Sequence, residues 1–221
     1  MPNSPHLDFY LHRDRVTGKD WLEVFVVSAH PTDPTDIDLN TVYEGVDHSQ
    51  HVRQGHQSEA ALTALLRQVV AHAPTKDKRI DVLTLVGHAS PGNFVFVYTD
   101  SVGAPQTLAL SNKNFQDVTK LIPPRQAGAA SDLFEPGAEV RFLGCRLAMH
   151  PTWANADEDE DGELLLRRIA FTLNRNIVAP TRALDHSMFD KFGFQNNAAD
   201  PLVRIEADGS DGSWLIRTHK K

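Results

Sequence analysis

The sequence predicts an α/β protein built on a mainly parallel, open sheet with helices on both faces and a C-terminal β-hairpin. Two observations carry that prediction. Short apolar runs rich in β-branched residues, such as IDVLTLV and NIVAP, have the look of strands buried on both faces. They alternate with segments of helical period or with connections long enough to cross over a sheet. No internal repeat and no linker interrupts the pattern, so residues 1–221 are expected to form one domain.

Taken in order, residues 1–20 are mixed and polar, either an arm or a first edge element. Trp21 to Ala29 (WLEVFVVSA) reads as a buried strand stopped by Pro31 and Pro34. Residues 30–57 lack periodicity and read as a long loop. Between Ser58, a plausible N-cap, and His72 the apolar residues Ala61, Leu62, Leu65, Leu66, Val69 and Val70 fall at helical spacing. A second strand starts at Ile80, and FVFVYT forms a third after a turn at Ser90-Pro91-Gly92-Asn93. Asn112 to Ile122 reads as a short helix stopped by Pro123-Pro124, and EVRFLGCRLA carries the fourth strand. An acidic loop from Ala154 to Gly162 precedes a helix over Glu163 to Leu173, with Leu165, Leu166, Ile169 and Leu173 on its core side. NIVAP is the fifth strand, and LVRIEA and SWLIRT flank Asp208-Gly209-Ser210-Asp211-Gly212 as a hairpin. The runs at Val24, Val82, Val140 and Ile177 are expected to be parallel neighbours in one sheet.

Composition narrows the function classes. The net charge is −7 with no long basic run, which argues against a nucleic-acid partner. The longest apolar runs are too short to cross a bilayer, and the first fifteen residues lack the apolar stretch of a secretory signal. A cytoplasmic protein with no membrane partner is the expectation. A single cysteine, Cys145, excludes an internal disulfide and a multi-cysteine zinc site, so it is either core filler or chemistry.

His88 and Cys145 each follow an apolar strand directly, preceded by Gly87 and Gly144. In open parallel sheets, sites form at the carboxyl ends of the strands. If the two strands are neighbours, thiol and imidazole emerge on one edge, where the imidazole can activate the thiol and later protonate a leaving amine. Backbone N–H groups of Ala89 and Ser90 are candidates to stabilise an oxyanion. The competing reading is a small buried cysteine and a strand-end histidine without chemistry.

The segments VLTLVGHASPGNF, GAEVRFLGCRLA and DGELLLRRIAFTLNRNIVAPT together resemble the core of the caspase-like (clan CD) cysteine peptidases. The nearest members are the CHAT and gingipain-like enzymes and related bacterial domains. The resemblance spans about residues 78–184. It implies a cysteine endopeptidase, with Cys145 as nucleophile, His88 as general base and a peptide or protein as substrate. The alternative it leaves is a catalytically inactive peptide- or protein-binding module on the same fold. The family has Gly after the histidine, whereas this chain has Ala89, which still donates an N–H but restricts φ.

Three further features have their own readings. Asp157-Glu158-Asp159-Glu160-Asp161-Gly162 contains the opening half of a calcium loop, but Arg168 stands at the twelfth position, where a closing glutamate belongs. A solvated acidic loop is the plainer account. A third use is selection of a basic side chain in the substrate by Asp157, Glu158, Asp159 and Asp161, as in some relatives of the resemblance. His48, His51 and His56 cluster in the long loop, with His30 and His186 near strand ends, yet none has metal-site spacing with a carboxylate. Apart from calcium at the acidic loop, no cofactor is expected. Ser28 and Ser90 lie outside any G-x-S-x-G elbow, which sets a serine-hydrolase reading aside.

Overall fold

Strand-forming composition and the crossover rule together build the frame. In the computed structural model, which describes residues 6–13, 20–28, 79–99, 105–125, 133–150, 158–184, 189–190, 193–194 and 202–210, six strands share one sheet. They are β1 (His6–Arg13), β2 (Asp20–Val27), β3 (Ile80–Val86), β7 (Phe134–Leu143), β8 (Asn176–Pro180) and β11 (Leu202–Ile205), in the spatial order β1-β2-β3-β7-β8-β11. The central pairings β2–β3, β3–β7 and β7–β8 are parallel, so the runs at Val24, Val82, Val140 and Ile177 are neighbours as expected. Both edges are antiparallel: β1 pairs with β2, and β11 with β8. The N-terminal segment is thus an edge element. The sheet is mixed and mainly parallel.

A second sheet of three antiparallel strands holds β4 (His88–Ser90), β5 (Asn93–Thr99) and β6 (Pro105–Ser111). FVFVYT therefore belongs to a different sheet from the four parallel runs, and β6 has no counterpart among the sequence-predicted elements. A two-stranded ribbon, β9 (Phe189–Asp190) with β10 (Gly193–Phe194), completes the strands among the described residues.

Side chains alternate across the central sheet, and the two faces differ. Leu83 and Leu85, Val140 and Phe142, Ile177 and Ala179, and Ile205 form one apolar face with Val24 and Val26. Onto it pack the hairpin residues Phe94, Phe96, Leu108 and Leu110 and the inner side of helix α1 (Gly162–Leu173). Leu165, Leu166, Ile169, Ala170 and Leu173 are that buried side, matching the helical spacing. The opposite face mixes Val82, Leu143 and Val178 with the buried ion network of Glu139 and Arg141. Glu139 accepts from Arg141 Nε at 2.5 Å and from Arg204 Nη1 at 2.8 Å, and Arg204 Nε reaches Glu206 at 2.9 Å. Paired in this way, the buried charges avoid the large cost of an isolated ion.

Helix α1 is fixed at both ends. Asp161 Oδ1 accepts the Leu164 N–H at 2.9 Å as an N-cap. At the other end Asn174 adopts a left-handed φ of 51°, and its N–H returns to the Ala170 and Phe171 carbonyls. One helical expectation changes form, and the expected acidic loop contains a short turn of helix. Asn112 to Ile122 contains a 3₁₀ helix at Phe115–Lys120 rather than an α-helix. Asn114 spends its side chain on the Ser111 N–H and the Ala109 carbonyl instead of capping, and the proline pair leaves too little length to propagate. The acidic stretch contributes a 3₁₀ turn at Glu158–Glu160. At the C-terminus β11 runs into a tight turn, with Glu206 N–H to Ser210 O at 2.8 Å. The expected second arm SWLIRT, the helix at 58–72 and the loop at 30–57 lie outside the described residues. No helix among the described residues is long and apolar enough to cross a membrane.

Candidate active site

Register decides where His88 and Cys145 go. Val86 of β3 lies opposite Leu143 of β7, and the Gly87 N–H donates to the Leu143 carbonyl at 3.1 Å. His88 and Cys145, each two residues past this pair, therefore follow the carboxyl ends of two adjacent parallel strands. Both are exposed. The Cys145 Sγ lies 3.9 Å from the Leu184 carbonyl, so the loop after β8 borders the thiol.

Cys145 sits on a turn rather than on the strand. Leu147 N–H returns to Gly144 O at 3.3 Å and Met149 N–H to Arg146 O at 3.0 Å. Arg146 takes a left-handed φ of 58°, which reverses the chain immediately after the thiol. Three neighbours hold this turn. Arg146 and Ala148 donate N–H bonds to Arg182 O and Pro180 O, both at 2.9 Å, tying it to the end of β8. Gly92, in the hairpin turn after β4, donates to Leu147 O at 3.3 Å, and Gly162 donates to Met149 O at 3.1 Å. With Leu147 and Ala148 buried and Cys145 and Arg146 exposed, the turn is anchored from below and open above.

His88 begins β4, which pairs antiparallel with β5 through His88↔Val95, Ala89↔Phe94 and Ser90↔Asn93. Successive N–H groups on a strand point to opposite edges. One of the Ala89 and Ser90 amides thus faces β5 and the other the opposite edge of β4, so the two expected oxyanion donors do not point the same way. Gly87 permits the hairpin to fold back over the sheet, because a Cβ there would stand 2.5 Å from the Val95 carbonyl.

The acidic segment serves as a clamp among the described residues. Asn112, buried at 4% exposure, donates its amide to the Glu158 carbonyl at 2.5 Å and to the Asp161 carbonyl at 2.9 Å. Asp159 pairs with Lys113, and Glu158 approaches Arg168 at 3.4 Å. Asp161 caps α1 with one oxygen and meets His150 Nδ1 at 3.1 Å with the other. Asp157 lies outside the described residues, as do His30, His48, His51, His56 and His186. No group of three or more His, Cys, Asp or Glu converges as a metal site would require among the described residues.

Sequence reasoning missed Asn112, Gly92 and the buttressing role of Gly162. Asn112 carries no motif, since its value lies in carbonyls more than 45 residues away. Gly162 could have been found, because a glycine opening a helix after an aspartate cap is unfavourable unless space demands it. Comparison with family models, with curated proteins and with solved structures finds no match for this chain.

Proposed function

We propose that the chain is a cysteine endopeptidase of the caspase-like kind, with Cys145 as nucleophile and His88 as general base and acid. The observation that supports it is the β3–β7 register, which sets the two exposed side chains at adjacent strand ends on the edge where open parallel sheets place their sites. In the proposed reaction His88 takes the thiol proton and the thiolate adds to the scissile carbonyl carbon. A hairpin N–H receives the oxyanion. The tetrahedral adduct collapses with loss of the C–N bond, and the amine leaves with the proton from His88. Water, deprotonated by His88, then cleaves the thioester and releases the acid and the free thiol.

A peptide with a basic residue before the scissile bond is the substrate proposed with it. Of the acids described, Glu158 is the best placed to turn, with its side chain 76% exposed against 25% for Asp159 and 19% for Asp161. The test of the reaction is covalent labelling by an electrophilic peptide ketone. Labelling is expected at Cys145 and is expected to disappear in His88→Ala. A protein that binds peptides but resists the probe is instead a catalytically silent binding module. The test of the preference is Glu158→Gln, expected to lower cleavage after Arg relative to cleavage after an uncharged residue.

A further inference from the structure

We propose that Ala89 and Gly144 are a size-complementary pair that sets the spacing between the strand ends bearing His88 and Cys145, which makes Ala89 a positioning residue for the site. The inference rests on the dyad reading above. Its basis is steric. A Cβ built on Gly144 would stand 2.4 Å from the Ala89 Cβ, 3.2 Å from the Gly87 carbonyl oxygen and 3.3 Å from Phe94 Cδ2. The Ala89 methyl therefore occupies the space that a side chain at position 144 would need. Ala89 is half-buried and packs against the apolar core, so its methyl is backed on one side.

The two residues adjoin the two reactive groups: Ala89 follows His88, and Gly144 precedes Cys145. One methyl between the strand ends fixes their separation, two would force them apart, and none would leave slack. Close-packed interiors respond to a single methylene in this way. The arrangement also accounts for alanine at a position where the resemblance has glycine: the methyl is carried on the histidine strand and omitted from the cysteine strand. Gly87 provides the contrast. Its nearest obstruction is the Val95 carbonyl, 2.5 Å from a would-be Cβ, and backbone cannot be trimmed by substitution.

The experiment measures the pH dependence of Cys145 alkylation by iodoacetamide, with melting temperature, for wild type, Ala89→Gly, Gly144→Ala, Gly87→Ala and the double variant Ala89→Gly/Gly144→Ala. In the double variant the contacts remaining at position 144 are 3.2 and 3.3 Å, which a few tenths of an ångström relieve. Gly144→Ala is expected to slow alkylation near pH 6.5 by about 10-fold as the thiolate loses its imidazole neighbour, with the double variant within about 3-fold of wild type. Gly87→Ala is expected to gain nothing from Ala89→Gly. A double variant no better than Gly144→Ala overturns the pair, as does a Gly144→Ala protein that matches wild type in both measurements. If Gly144→Ala does not fold, the double variant must fold and react, and its failure also overturns the proposal. A wild type whose alkylation is indifferent to His88→Ala removes the dyad and the positioning role with it. That result is distinguished from failure of the steric pair because the melting-temperature coupling between positions 89 and 144 then survives.

Discussion

Gly162→Ala is expected to destabilise the protein through a steric collision at the foot of the turn that carries Cys145. A Cβ at Gly162 would lie 1.8 Å from the Leu147 carbonyl oxygen and 2.8 and 2.9 Å from the Leu147 and Ala148 carbonyl carbons. All three atoms are backbone, so no rotamer change relieves the contact. The oxygen contact is roughly 1.5 Å short of ordinary van der Waals separation. Helix α1 and the turn must move apart, which stretches the Gly162 N–H bond to Met149 O, now 3.1 Å. Overpacking of this kind costs about 1–3 kcal/mol and a lost hydrogen bond about 1 kcal/mol. Against this, alanine gains about 0.5–1 kcal/mol of helix propensity. The net loss is about 1–3 kcal/mol, a substantial part of the roughly 5–15 kcal/mol that holds a folded protein. At this chain length that corresponds to a fall in Tm of about 2–12 °C, read by urea and thermal unfolding. Gly137→Ala is the control, because a Cβ there meets nothing within 4 Å and only the φ of +83° opposes it. It is expected to cost about 1 kcal/mol, from backbone conformation alone. A Gly162→Ala protein within about 0.5 kcal/mol of wild type, or one less affected than Gly137→Ala, would refute the steric argument.

Asp161→Ala removes the N-cap of α1 and is expected to cost about 1 kcal/mol in urea unfolding; an unchanged midpoint would mean that the Leu164 N–H finds water at no loss. Glu139→Ala leaves Arg141 and Arg204 facing one another without their shared carboxylate, and a loss of about 3–5 kcal/mol is expected. Its thermal unfolding would contradict the network if it matched that of a surface substitution. Phe142→Ala, which empties a fully buried site edge-on to Phe94, is expected to lose about 3–5 kcal/mol. Asp208 accepts from the Ser210 hydroxyl at 2.6 Å and the Ser210 N–H at 2.9 Å, which holds its carboxyl below the ordinary carboxylate range. The stabilisation from this lowered group is present above the unfolded-state pKa and is lost as the pH falls through the folded one. Ser210→Ala is expected to raise the Asp208 midpoint in an NMR titration; a midpoint that stays put would assign the shift elsewhere.

The parallel core was legible because its strands are buried on both faces and so read as unbroken apolar runs. Leu83, Val140 and Ile177 needed no more than this to be placed side by side. Helix α1 was legible because Leu165, Leu166, Ile169 and Leu173 keep helical period and Asp161 supplies a cap. Strand β6 escaped because Pro105 opens it and Ser111 closes it, leaving a short alternation of exposed Thr107 and Ala109 with buried Leu108 and Leu110. The assignment of β5 to a second sheet escaped for a different reason. The cause lies in space at Gly87, where the chain folds back against Val95, and local propensity carries no record of that. His88 and Cys145 stood out as residues following apolar runs. The acidic segment looked like ligand chemistry from its charges, whereas Asn112 and Lys113 engage it from a hairpin nearly fifty residues earlier.

The order in which the chain is made bears on when its candidate site can exist. Cys145 follows His88 by 57 residues, and Val86 pairs with Leu143 across the same span. At ribosomal rates of about 5–20 residues per second, the histidine strand leads the cysteine strand by roughly 3–11 s. During that interval β3, buried along its whole length in the finished sheet, has no β7 to cover its edge. Such an edge is a template for pairing with other chains, and contacts of this sequence separation form slowly. The ends of β3 and β7, from which the chain runs on to His88 and Cys145, therefore come together only when the centre of the sheet closes. The interval before closure is when the nascent chain is most open to misassembly.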